Sequence, residues 1–355
     1  MNLVARAVSR ATKIRNHVTG WLTVPQRFRH VAGPTHRRLG DREVALIVLG
    51  RNAAFYLPEL FRHHRALGVR HFVYVDNGSQ DGSVEIASTE LDTTVAVCDA
   101  SFKRHQGLIR RLAATRFVSG GWRLVVDADE LFDFPGSDSI DLPGLIDRLE
   151  AAGHTGLVAQ MLDMVPETGL SPALSESYAS AIAACAWYDL NGLDIRAYHD
   201  RDHPIGHLTK GNQLTDPCVK VFSGGIRRTL FGERCCLTKH PLFKLAPGVR
   251  PQGHPHIALG LRLADFTALL RHYKFAGDFL ERERDLVARQ ALAHGEAALR
   301  VRRLSADPQM SFATETRRQW RPQEPLPTRL LAEGFLVATP AARTRLGLSP
   351  ARSPS

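Results

Sequence analysis

The chain has 355 residues, of which 44% are hydrophobic and 23% are charged. These values are ordinary for a globular protein and exclude an intrinsically disordered chain; the length suffices for about two domains or one large one. The 46 Lys and Arg residues exceed the 36 Asp and Glu residues, which gives a formal net charge of +10. This charge favours anionic partners such as phosphates, nucleotides, nucleic acids or an acidic membrane face, without choosing among them.

The five cysteines predict reduced thiols rather than a disulfide or zinc scaffold. Their number is odd, and no two of them have the spacing Cys-x-x-Cys. No apolar run approaches the roughly 20 residues that a membrane helix needs. Basic residues also interrupt the N-terminus where a secretory signal would be apolar. We therefore expect a cytoplasmic protein.

The first 40 residues contain eight Lys or Arg residues and no Asp or Glu. Apolar residues within positions 1 to 14 fall loosely on one helical face. Three interpretations are open: a solvated extension, a basic helix that lies on anionic lipid at the inner membrane face, and a transit peptide.

From residue 41 onward, short apolar strands alternate with amphipathic helices. The pattern predicts strands at 44–49, 71–75, 94–97 and 122–126, with helices at 57–67, 83–89 and 106–119. This alternation predicts an α/β fold with a Rossmann-like, mostly parallel sheet flanked by helices. The carboxyl ends of parallel strands share one edge of such a sheet, where ligands bind.

The second half of the chain has weaker patterns. We predict a strand at 157–164, a loop-rich segment at 165–215 and helical structure over 261–293, where apolar residues recur at helical spacing. Prolines return beyond residue 305, and we expect the last fifteen residues to be disordered.

Three carboxylates follow the strand at 122–126 within four residues, in Asp127-Ala128-Asp129-Glu130. In an extended segment Asp127 and Asp129 point to the same side, because side chains repeat every two residues. Two carboxylates at one edge suit a hard divalent cation bound together with a diphosphate, which the cation stabilises as a leaving group. An acidic strand-to-loop turn without a ligand would give the same pattern.

A second polar segment, residues 76–82 (Asp-Asn-Gly-Ser-Gln-Asp-Gly), follows the strand at 71–75 and precedes a helix. Its two glycines permit a tight turn. Asp76 and Asp81 could accept hydrogen bonds from a base and a ribose. Alternatively, the segment is an Asx-turn in which Ser79 or Asp81 caps the following helix.

A third signal is Arg51-Asn52, directly after the first strand. The three signals therefore occur in order at successive strand ends: Arg51-Asn52-Ala53, residues 76–82 and Asp127-Ala128-Asp129. This arrangement resembles the family 2 glycosyltransferases, and the Asp-Ala-Asp-Glu form resembles a bacterial subgroup of that family. The match covers residues 43 to 134.

The resemblance implies a GT-A fold with a loop-rich acceptor region and a C-terminal helical part. Residues 41–135 would bind a nucleotide-sugar and residues 136–300 the acceptor. A basic extension at 1–40 would precede this domain, and a Pro-rich tail at 301–355 would follow it.

The resemblance also implies roles for individual residues. Asp76 would bind the nucleobase or its ribose, with Asp81 near the base. Asp127 would contact the ribose or the metal, and Asp129 would ligate Mn²⁺ or Mg²⁺ under the diphosphate of a UDP- or GDP-sugar. The nucleotide would also contact the Arg51-Asn52 pair.

Two departures from the family pattern change the expected contacts. Ala53 replaces the usual acidic residue after Arg-Asn, which weakens that contact. The segment 101–107 is unusually basic, so Arg104, Arg110 or Arg111 could hold phosphate, with a solvated helix face as the alternative. The leaving diphosphate could also be neutralised by Arg227, Lys239 or Lys274.

A downstream histidine completes the metal shell in many enzymes of the GT-A fold. The candidates are His254 and His256, which would share a face of an extended loop, and His272, which lies in the predicted helix. An inverting transferase also needs a carboxylate that deprotonates the acceptor hydroxyl. We expect Asp163 or Asp194 in that role, and no spacing rule decides between them.

The sequence thus predicts a metal-dependent glycosyltransferase whose acceptor is a hydroxyl of a surface polysaccharide or a lipid-linked glycan. One alternative is a nucleotide-sugar or carbohydrate-binding protein that has lost catalysis. Another is a nucleotidyltransferase, although residues 49–53 are too poor in Gly and Lys for its phosphate loop. A nucleic-acid binder is disfavoured, because aromatic residues make up only 7% of the chain and no known nucleic-acid module is visible.

Overall fold

The computed structural model describes residues 19–289, 295–321 and 323–350. The N-terminal apolar face within residues 1 to 14 lies outside the described residues. The strands are β1 (Phe28–Ala32), β2 (Arg37–Arg38), β3 (Val44–Gly50), β4 (His71–Asp76), β5 (Thr93–Cys98), β6 (Val118–Ser119), β7 (Trp122–Val126), β8 (Glu130–Asp133), β9 (Gly156–Asp163), β10 (Trp187–Tyr188), β11 (Leu193–Ala197), β12 (Gln213–Leu214), β13 (Lys220–Gly224), β14 (Thr238–Lys244), β15 (Arg250–His254), β16 (Ile257–Leu259), β17 (Arg262–His272) and β18 (Arg318–Gln319).

The α-helices lie on both faces of the sheet and around its edges. They are α1 (Leu57–Ala66), α2 (Ser83–Thr89), α3 (Phe102–Arg116), α4 (Leu142–Ala151), α5 (Ala173–Glu176), α6 (Tyr178–Ala184), α7 (Gly206–Thr209), α8 (Ile226–Phe231), α9 (Phe279–Ala288), α10 (Glu296–Ala306), α11 (Leu326–Ala332) and α12 (Pro340–Arg345). A short 3₁₀-helix, Val24–Arg27, precedes β1.

One large sheet organises the described part of the chain, with strand order β1-β5-β4-β3-β7-β14-β9-β17-β12 and β8 paired to β17. The pairs β5–β4, β4–β3, β3–β7, β9–β17 and β17–β12 are parallel, whereas β14 is antiparallel to both of its neighbours. Strand β9 therefore runs in the same direction as β7. The fold is the predicted one: a mixed α/β structure with a mostly parallel central sheet flanked by helices, consistent with a GT-A-like fold.

The apolar strands form because both of their faces are covered. In β3, Val44, Leu46 and Val48 pack into the core beneath α1 and α4, whereas Ala45 and Ile47 pack on the opposite face with α3. A continuous apolar run is what a strand buried on both sides requires. The predicted strands at 44–49, 71–75, 94–97, 122–126 and 157–164 are accordingly confirmed to within a few residues.

The entry into β7 depends on an unusual buried side chain. Gly120 and Gly121 have φ values of 65° and 53°, which reverse the chain just before the strand. Arg123 is fully buried in β7. Its guanidinium donates to the carbonyl oxygens of Ala114 at 2.8 Å and Val118 at 2.8 Å. The carbonyl of Ala114 near the C-terminal end of α3 and that of Val118 in β6 thus find a donor inside the core, which fixes this end of α3 against the sheet.

The prediction of helical structure over 261–293 was wrong for its first half. Residues 262–272 form strand β17, the longest strand described, and only α9 in the second half is helical. Every residue of β17 from Leu263 to His272 is buried, because β9 lies on one side of it and β8 and β12 on the other. The apolar residues Leu263, Phe266, Leu269 and Leu270 fit helical spacing, but both faces of this segment are buried, and pairing with β9 decided the outcome.

The C-terminal segment is ordered as far as the structure describes it. Leu330, Phe335 and Leu346 are buried in the main core, and residues 341–345 of α12 belong to the fifteen residues predicted to be disordered. The disorder prediction was therefore wrong for 341–350, and 351–355 lie outside the described residues. Thr267 in β17 donates its backbone N–H to the carbonyl of Val337 at 2.9 Å, which ties this segment to the sheet.

The division of the chain at residues 40, 135 and 300 stays a prediction.

All five cysteines are free thiols, as predicted. Among the described helices, none combines the length and the apolar character that a membrane span requires.

Two buried histidines predict how stability depends on pH. Burial lowers the pKa of His64 to about 4 and that of His240 to about 3. Between pH 6.5 and pH 4 both gain a proton only on unfolding, so the free energy of unfolding falls as the pH is lowered, by up to about 1.4 kcal/mol per pH unit for each histidine. Denaturant titrations at pH 6.5, 5.5 and 4.5 measure this slope. His240→Gln should reduce the slope, and an unchanged slope would contradict the assignment; His30→Gln, at an exposed position, is the control.

Candidate functional site

The carboxyl ends of β3, β4, β5, β7, β9 and β17 meet at one edge of the sheet. A cavity of about 470 Å³ lies beside the ends of the first three strands. It is lined by Leu49, Gly50, Arg51, Asn77, Gly78, Asp99, Ala100, Ser101, Phe102 and Lys103, and by Leu286 and Arg289 at the end of α9. The N-terminus of the 15-residue helix α3 also borders this cavity.

The first carboxylate of the acidic motif is surrounded by cations. Asp127 lies 2.7 Å from the Nζ atom of Lys239 and 3.3 Å from an Nη atom of Arg110. Lys239 is buried and also binds Glu130. Burial by itself would lower the pKa of Lys239, but the two carboxylates outweigh burial and raise it. Burial likewise favours a neutral Asp127, yet Lys239 and Arg110 hold the pKa of Asp127 below its usual range.

The second carboxylate of the motif faces a histidine from a distant strand. Asp129 Oδ2 lies 3.4 Å from His272 Nε2, and His272 Nδ1 lies 2.5 Å from Asp163 Oδ1. His272 ends β17 rather than lying on a helix, which corrects the sequence expectation. Burial lowers the pKa of His272, but Asp129 and Asp163 outweigh burial and raise it. Of the three candidate histidines, His272 is the one that the structure brings to the acidic motif.

The other two histidine candidates lie on the hairpin of β15 and β16. His256 Nδ1 bonds to the carbonyl oxygen of Thr238 at 3.0 Å, and the backbone N–H of His256 donates to His254 Nδ1 at 3.2 Å. The two rings do lie on a common side, with centroids 5.6 Å apart. Burial places the pKa of His256 well below its usual range. The pair therefore supports its own hairpin and the start of β14.

Asp163 does not have the surroundings of a catalytic base, which corrects that expectation. Its carboxylate is buried, with one oxygen bound to His272 and the other accepting from Arg227 Nε at 2.8 Å. Burial alone would raise the pKa of Asp163, but Arg227 and His272 lower it to about 2. A carboxylate whose two oxygens are each held by a cationic side chain is a weak base toward an acceptor hydroxyl.

Asp194, the other expected base, lies on the two-stranded β11–β13 sheet outside the large sheet. Its carboxylate binds the guanidinium of Arg196 at 3.1 Å. The bond to Arg196 is the largest cause that lowers the pKa of Asp194. The structure therefore shows Asp194 in a surface ion pair, away from the acidic motif at the end of β7.

The residues at this edge fit a divalent cation held by two protein ligands. Asp129 could supply an oxygen and His272 could supply Nε2. The other ring nitrogen of His272 faces the Asp163 carboxylate, and metal-binding histidines commonly donate that N–H to a carboxylate, a backbone carbonyl or water. Within the described residues, no group of three or more His, Cys, Asp or Glu side chains forms a closed metal site. An open site with few protein ligands is what Mg²⁺ and Mn²⁺ use when substrate phosphates and water complete the coordination.

Asp76 shapes its own turn and is not among the residues that line the larger cavity, so its expected contact with the nucleotide stays a prediction. The side chain is buried. Its Oδ2 accepts from the backbone N–H groups of Gly78 and Ser79, both at 2.9 Å, and its Oδ1 accepts from the Tyr74 hydroxyl at 3.2 Å. The Asx-turn interpretation of this residue is the one that the structure supports.

Asn52 and Asp81 hold two loops together. The backbone N–H of Asn52 donates to Ser79 Oγ at 2.8 Å, and Asn52 Oδ1 accepts from the N–H of Gln80 at 2.9 Å. Asp81 Oδ2 accepts from the N–H of Ala54 at 3.0 Å. Asn52 has a φ of 51°, in the left-handed region that Asn tolerates better than most residues. Both side chains also line a second cavity, of about 360 Å³, which Glu281 and Asp285 of α9 border as well.

The basic candidates separate into two groups. Arg51 is exposed, lines the larger cavity and lies 3.4 Å from the carbonyl oxygen of Asn77. Arg110 reaches Asp127, as described above, whereas the guanidinium of Arg111 lies over the ring of Trp21, 5.5 Å from its centroid. Of these two arginines, Arg110 is the one that contacts the acidic motif, and phosphate binding by Arg111 stays a prediction.

Several lining residues were missed from the sequence. Asn77 belongs to a recognised motif, but only its hydrogen bonds show where its side chain lies. Its Nδ2 atom donates to the carbonyl of Cys98 at 2.6 Å and to that of Ala100 at 3.0 Å. Leu286 and Arg289 come from α9, about 200 positions away in the sequence, where nothing in the local pattern marks them.

A chain of buried ion pairs leads from the site to α9. Arg227, the partner of Asp163, lies 3.9 Å from Glu233. Arg300 on α10 binds Glu233 at 2.7 Å and Glu283 of α9 at 2.8 Å, and Glu283 also binds Lys274 at 3.0 Å. These ion pairs thus connect α9, which borders the cavity, to β17, which ends at His272.

Comparisons with known proteins give little beyond this geometry. The sequence matches no protein-family profile, and no curated protein matches it significantly. Among solved structures, a fragment of S. aureus TarS comprising residues 1–349 aligns with 38% of this chain at 20% identity and a TM-score of 0.28, and S. aureus TarS aligns with 38% at 20% identity and a TM-score of 0.27. This chain spans 43% and 26% of those two chains, respectively. At these values the likeness carries no information on substrate or activity.

Replacing Arg300 by methionine should destabilise the protein strongly. The side chain is 2% exposed, and its loss leaves the Glu233 and Glu283 carboxylates buried without their shared cation. We expect the free energy of unfolding to fall by about 3–5 kcal/mol in a denaturant titration. Arg303→Met, on the exposed side of the same helix, is the matched control and should change it by less than about 0.5 kcal/mol. Equal effects of the two variants would contradict a structural role for the Arg300 ion pairs.

Proposed function

We propose that the protein is a metal-dependent glycosyltransferase that moves a sugar from a nucleotide-sugar donor to a hydroxyl acceptor. The observation that carries the proposal is the convergence of Asp129 and His272 at the carboxyl edge of the sheet, the same edge at which the cavity beside β3, β4 and β5 lies. These residues lie 143 positions apart in the sequence (272 − 129), so their pairing is a property of the fold.

The cavity has the size and chemistry for the nucleotide of a UDP- or GDP-sugar. Its volume of about 470 Å³ lies in the range of small-molecule sites. Arg51 and Asn77 line it with polar groups, and the N-terminus of α3 with Lys103 adds positive charge that favours phosphate. Arg110 and Lys239 add two further cations beside the acidic motif.

In this proposal the Asp129 carboxylate and the Nε2 atom of His272 would hold Mn²⁺ or Mg²⁺. A bound divalent cation would supply stabilisation of the diphosphate as it leaves the sugar. Arg110 and Lys239, now paired with Asp127, would neutralise further negative charge on the diphosphate. Asp127 itself would then be available to the ribose or to the cation.

The acceptor is proposed to be a hydroxyl of a glycan, either a surface polysaccharide or a lipid-linked precursor. An inverting outcome, a contact of the basic N-terminal segment with anionic membrane, and a cytoplasmic location remain predictions of the sequence. Nucleic acid is not proposed as a partner.

A second candidate is a nucleotide-sugar-binding protein without transferase activity. It is favoured by one observation: Asp163 and Asp194, the two carboxylates expected to act as base, are both engaged in ion pairs. Incubation with each radiolabelled UDP- and GDP-sugar, followed by assays of transfer and donor hydrolysis, separates the two candidates. Binding without either reaction would favour this second function.

Nucleotide binding should depend on metal. We expect the melting temperature to rise with one of UDP, GDP, CDP or dTDP when Mn²⁺ is present, and to rise much less when EDTA replaces it. A ligand at about 100 times its dissociation constant raises the free energy of unfolding by about 2.7 kcal/mol. A thermal-shift panel of the four nucleotides measures this directly. Flat curves for all four, with and without metal, would contradict the proposed donor class.

Asp129→Asn should abolish the Mn²⁺-dependent part of that shift and leave the fold intact. The substitution keeps the size of the side chain but removes the charge of the proposed metal ligand. Asp133→Asn is the matched control, since Asp133 is also 16% exposed and instead contacts Ser137 and Arg271. Isothermal titration with the nucleotide identified above gives the two affinities, and an Asp129→Asn protein that binds as tightly as its parent would refute the metal assignment.

A further inference from the structure

We propose that Asp163 is a positioning residue that fixes the proton of His272 on Nδ1 and thereby keeps Nε2 available as a metal ligand. This inference rests on the proposed metal site and assigns to Asp163 a role other than that of a catalytic base. It concerns three side chains, Arg227, Asp163 and His272, which form a buried row that ends at Asp129.

The backbone places the row. Asp163 and His272 are direct partners in the parallel β9–β17 pair, each at the last position of its strand. The N–H of Met164 donates to the His272 carbonyl at 2.9 Å, and the N–H of Tyr273 donates to the Asp129 carbonyl at 2.9 Å. Hydrogen bonds of the main chain therefore hold both neighbours of the imidazole before any ligand binds.

The hydrogen-bond directions settle which nitrogen carries the proton. An arginine side chain can only donate, and Arg227 Nε donates to Asp163 Oδ2 at 2.8 Å. An ionised carboxylate can only accept, so the contact of 2.5 Å between Asp163 Oδ1 and His272 requires a proton on Nδ1. The Nε2 atom then faces Asp129, 3.4 Å away, and can present its lone pair there when a cation replaces the second proton.

The variant Asp163→Asn reverses the direction of the hydrogen bond to His272 without changing the shape of the side chain. The amide oxygen of Asn at position 163 would face Arg227, because the flipped amide would set its NH₂ group against the N–H of Arg227, and both groups are donors. The amide NH₂ would then face His272 Nδ1, which must become the acceptor and move the imidazole proton to Nε2. A protonated Nε2 cannot bind a metal ion, so the histidine would remain in place but in the wrong tautomer.

A matched control lies in the same strand, β17, near the end opposite to His272. Asp265, near the start of β17, lies 3.4 Å from His154 Nε2 and also accepts from Thr339 at 2.5 Å and from Arg345. It is thus another buried carboxylate between a histidine and an arginine. Asp265→Asn should disturb the fold to a similar extent and leave the metal site unchanged.

The experiment is a titration of each full-length protein with Mn²⁺ alone, followed by electron paramagnetic resonance of the free ion. We expect the Asp163→Asn protein to bind Mn²⁺ 10- to 100-fold more weakly than the parent, the range typical for loss of such a carboxylate partner, and Asp265→Asn to bind it as the parent does. Equal Mn²⁺ affinity of the Asp163→Asn protein and the parent would overturn the positioning role, while the proposed metal site would stand. A parent protein that binds no Mn²⁺ would instead overturn the metal site and this inference with it.

A second measurement tests the proton itself and needs no substitution at Asp163. Nitrogen-15 NMR of histidine-labelled parent protein, with His272→Gln to identify the signal, reports which ring nitrogen is protonated when Mg²⁺ is bound. A proton on Nδ1 and none on Nε2 supports the proposal. A proton on Nε2 would overturn it, whatever the folding behaviour of the Asp163→Asn protein.

Discussion

Ionised side chains buried at the carboxyl edge of the sheet must each be paired, and this requirement organises the centre of the molecule. Removing a charge from water costs several kcal/mol unless an opposite charge and hydrogen bonds replace the lost hydration. Two runs of alternating charge meet this need: Arg110, Asp127, Lys239 and Glu130 form one, and Asp129, His272, Asp163, Arg227, Glu233, Arg300, Glu283 and Lys274 form the other.

These pairs would also let the edge accept the proposed anionic ligand together with a cation. Arg110 and Lys239 neutralise Asp127 in the structure described here, and a diphosphate offers them alternative acceptors of the same charge. Asp129 and His272 face each other at 3.4 Å, where the proposed metal ion would take the place of a proton. Exchange of one charged partner for another keeps the number of buried unpaired charges low, so ligand binding does not require the site to be rebuilt.

The loops at this edge divide their polar residues between structure and recognition. Asp76 accepts hydrogen bonds within its own turn, and Asn52 and Asp81 join the first two loops. Arg51, Asn77 and the start of α3 then face the larger cavity. A short polar motif therefore contains residues that hold the loop and residues that face the ligand. Their separation depends on which side chains find backbone donors nearby, and local sequence does not record that.

The sequence by itself determined the strands that carry the site and the motif at the end of β7. Short continuous apolar runs bounded by turn residues favour strands covered on both faces, and Asp127 and Asp129 follow one of these runs directly, so the parallel sheet and the acidic edge could be predicted from local pattern. Only the tertiary structure decided that residues 262–272 are a strand, that His272 rather than His254 or His256 meets Asp129, and that Asp163 serves His272. The physical reason is distance along the chain: Asp163 and His272 are 109 residues apart, and the register of β9 against β17 brings them together. Strand register follows from the packing of the whole sheet, which no local stretch of sequence contains.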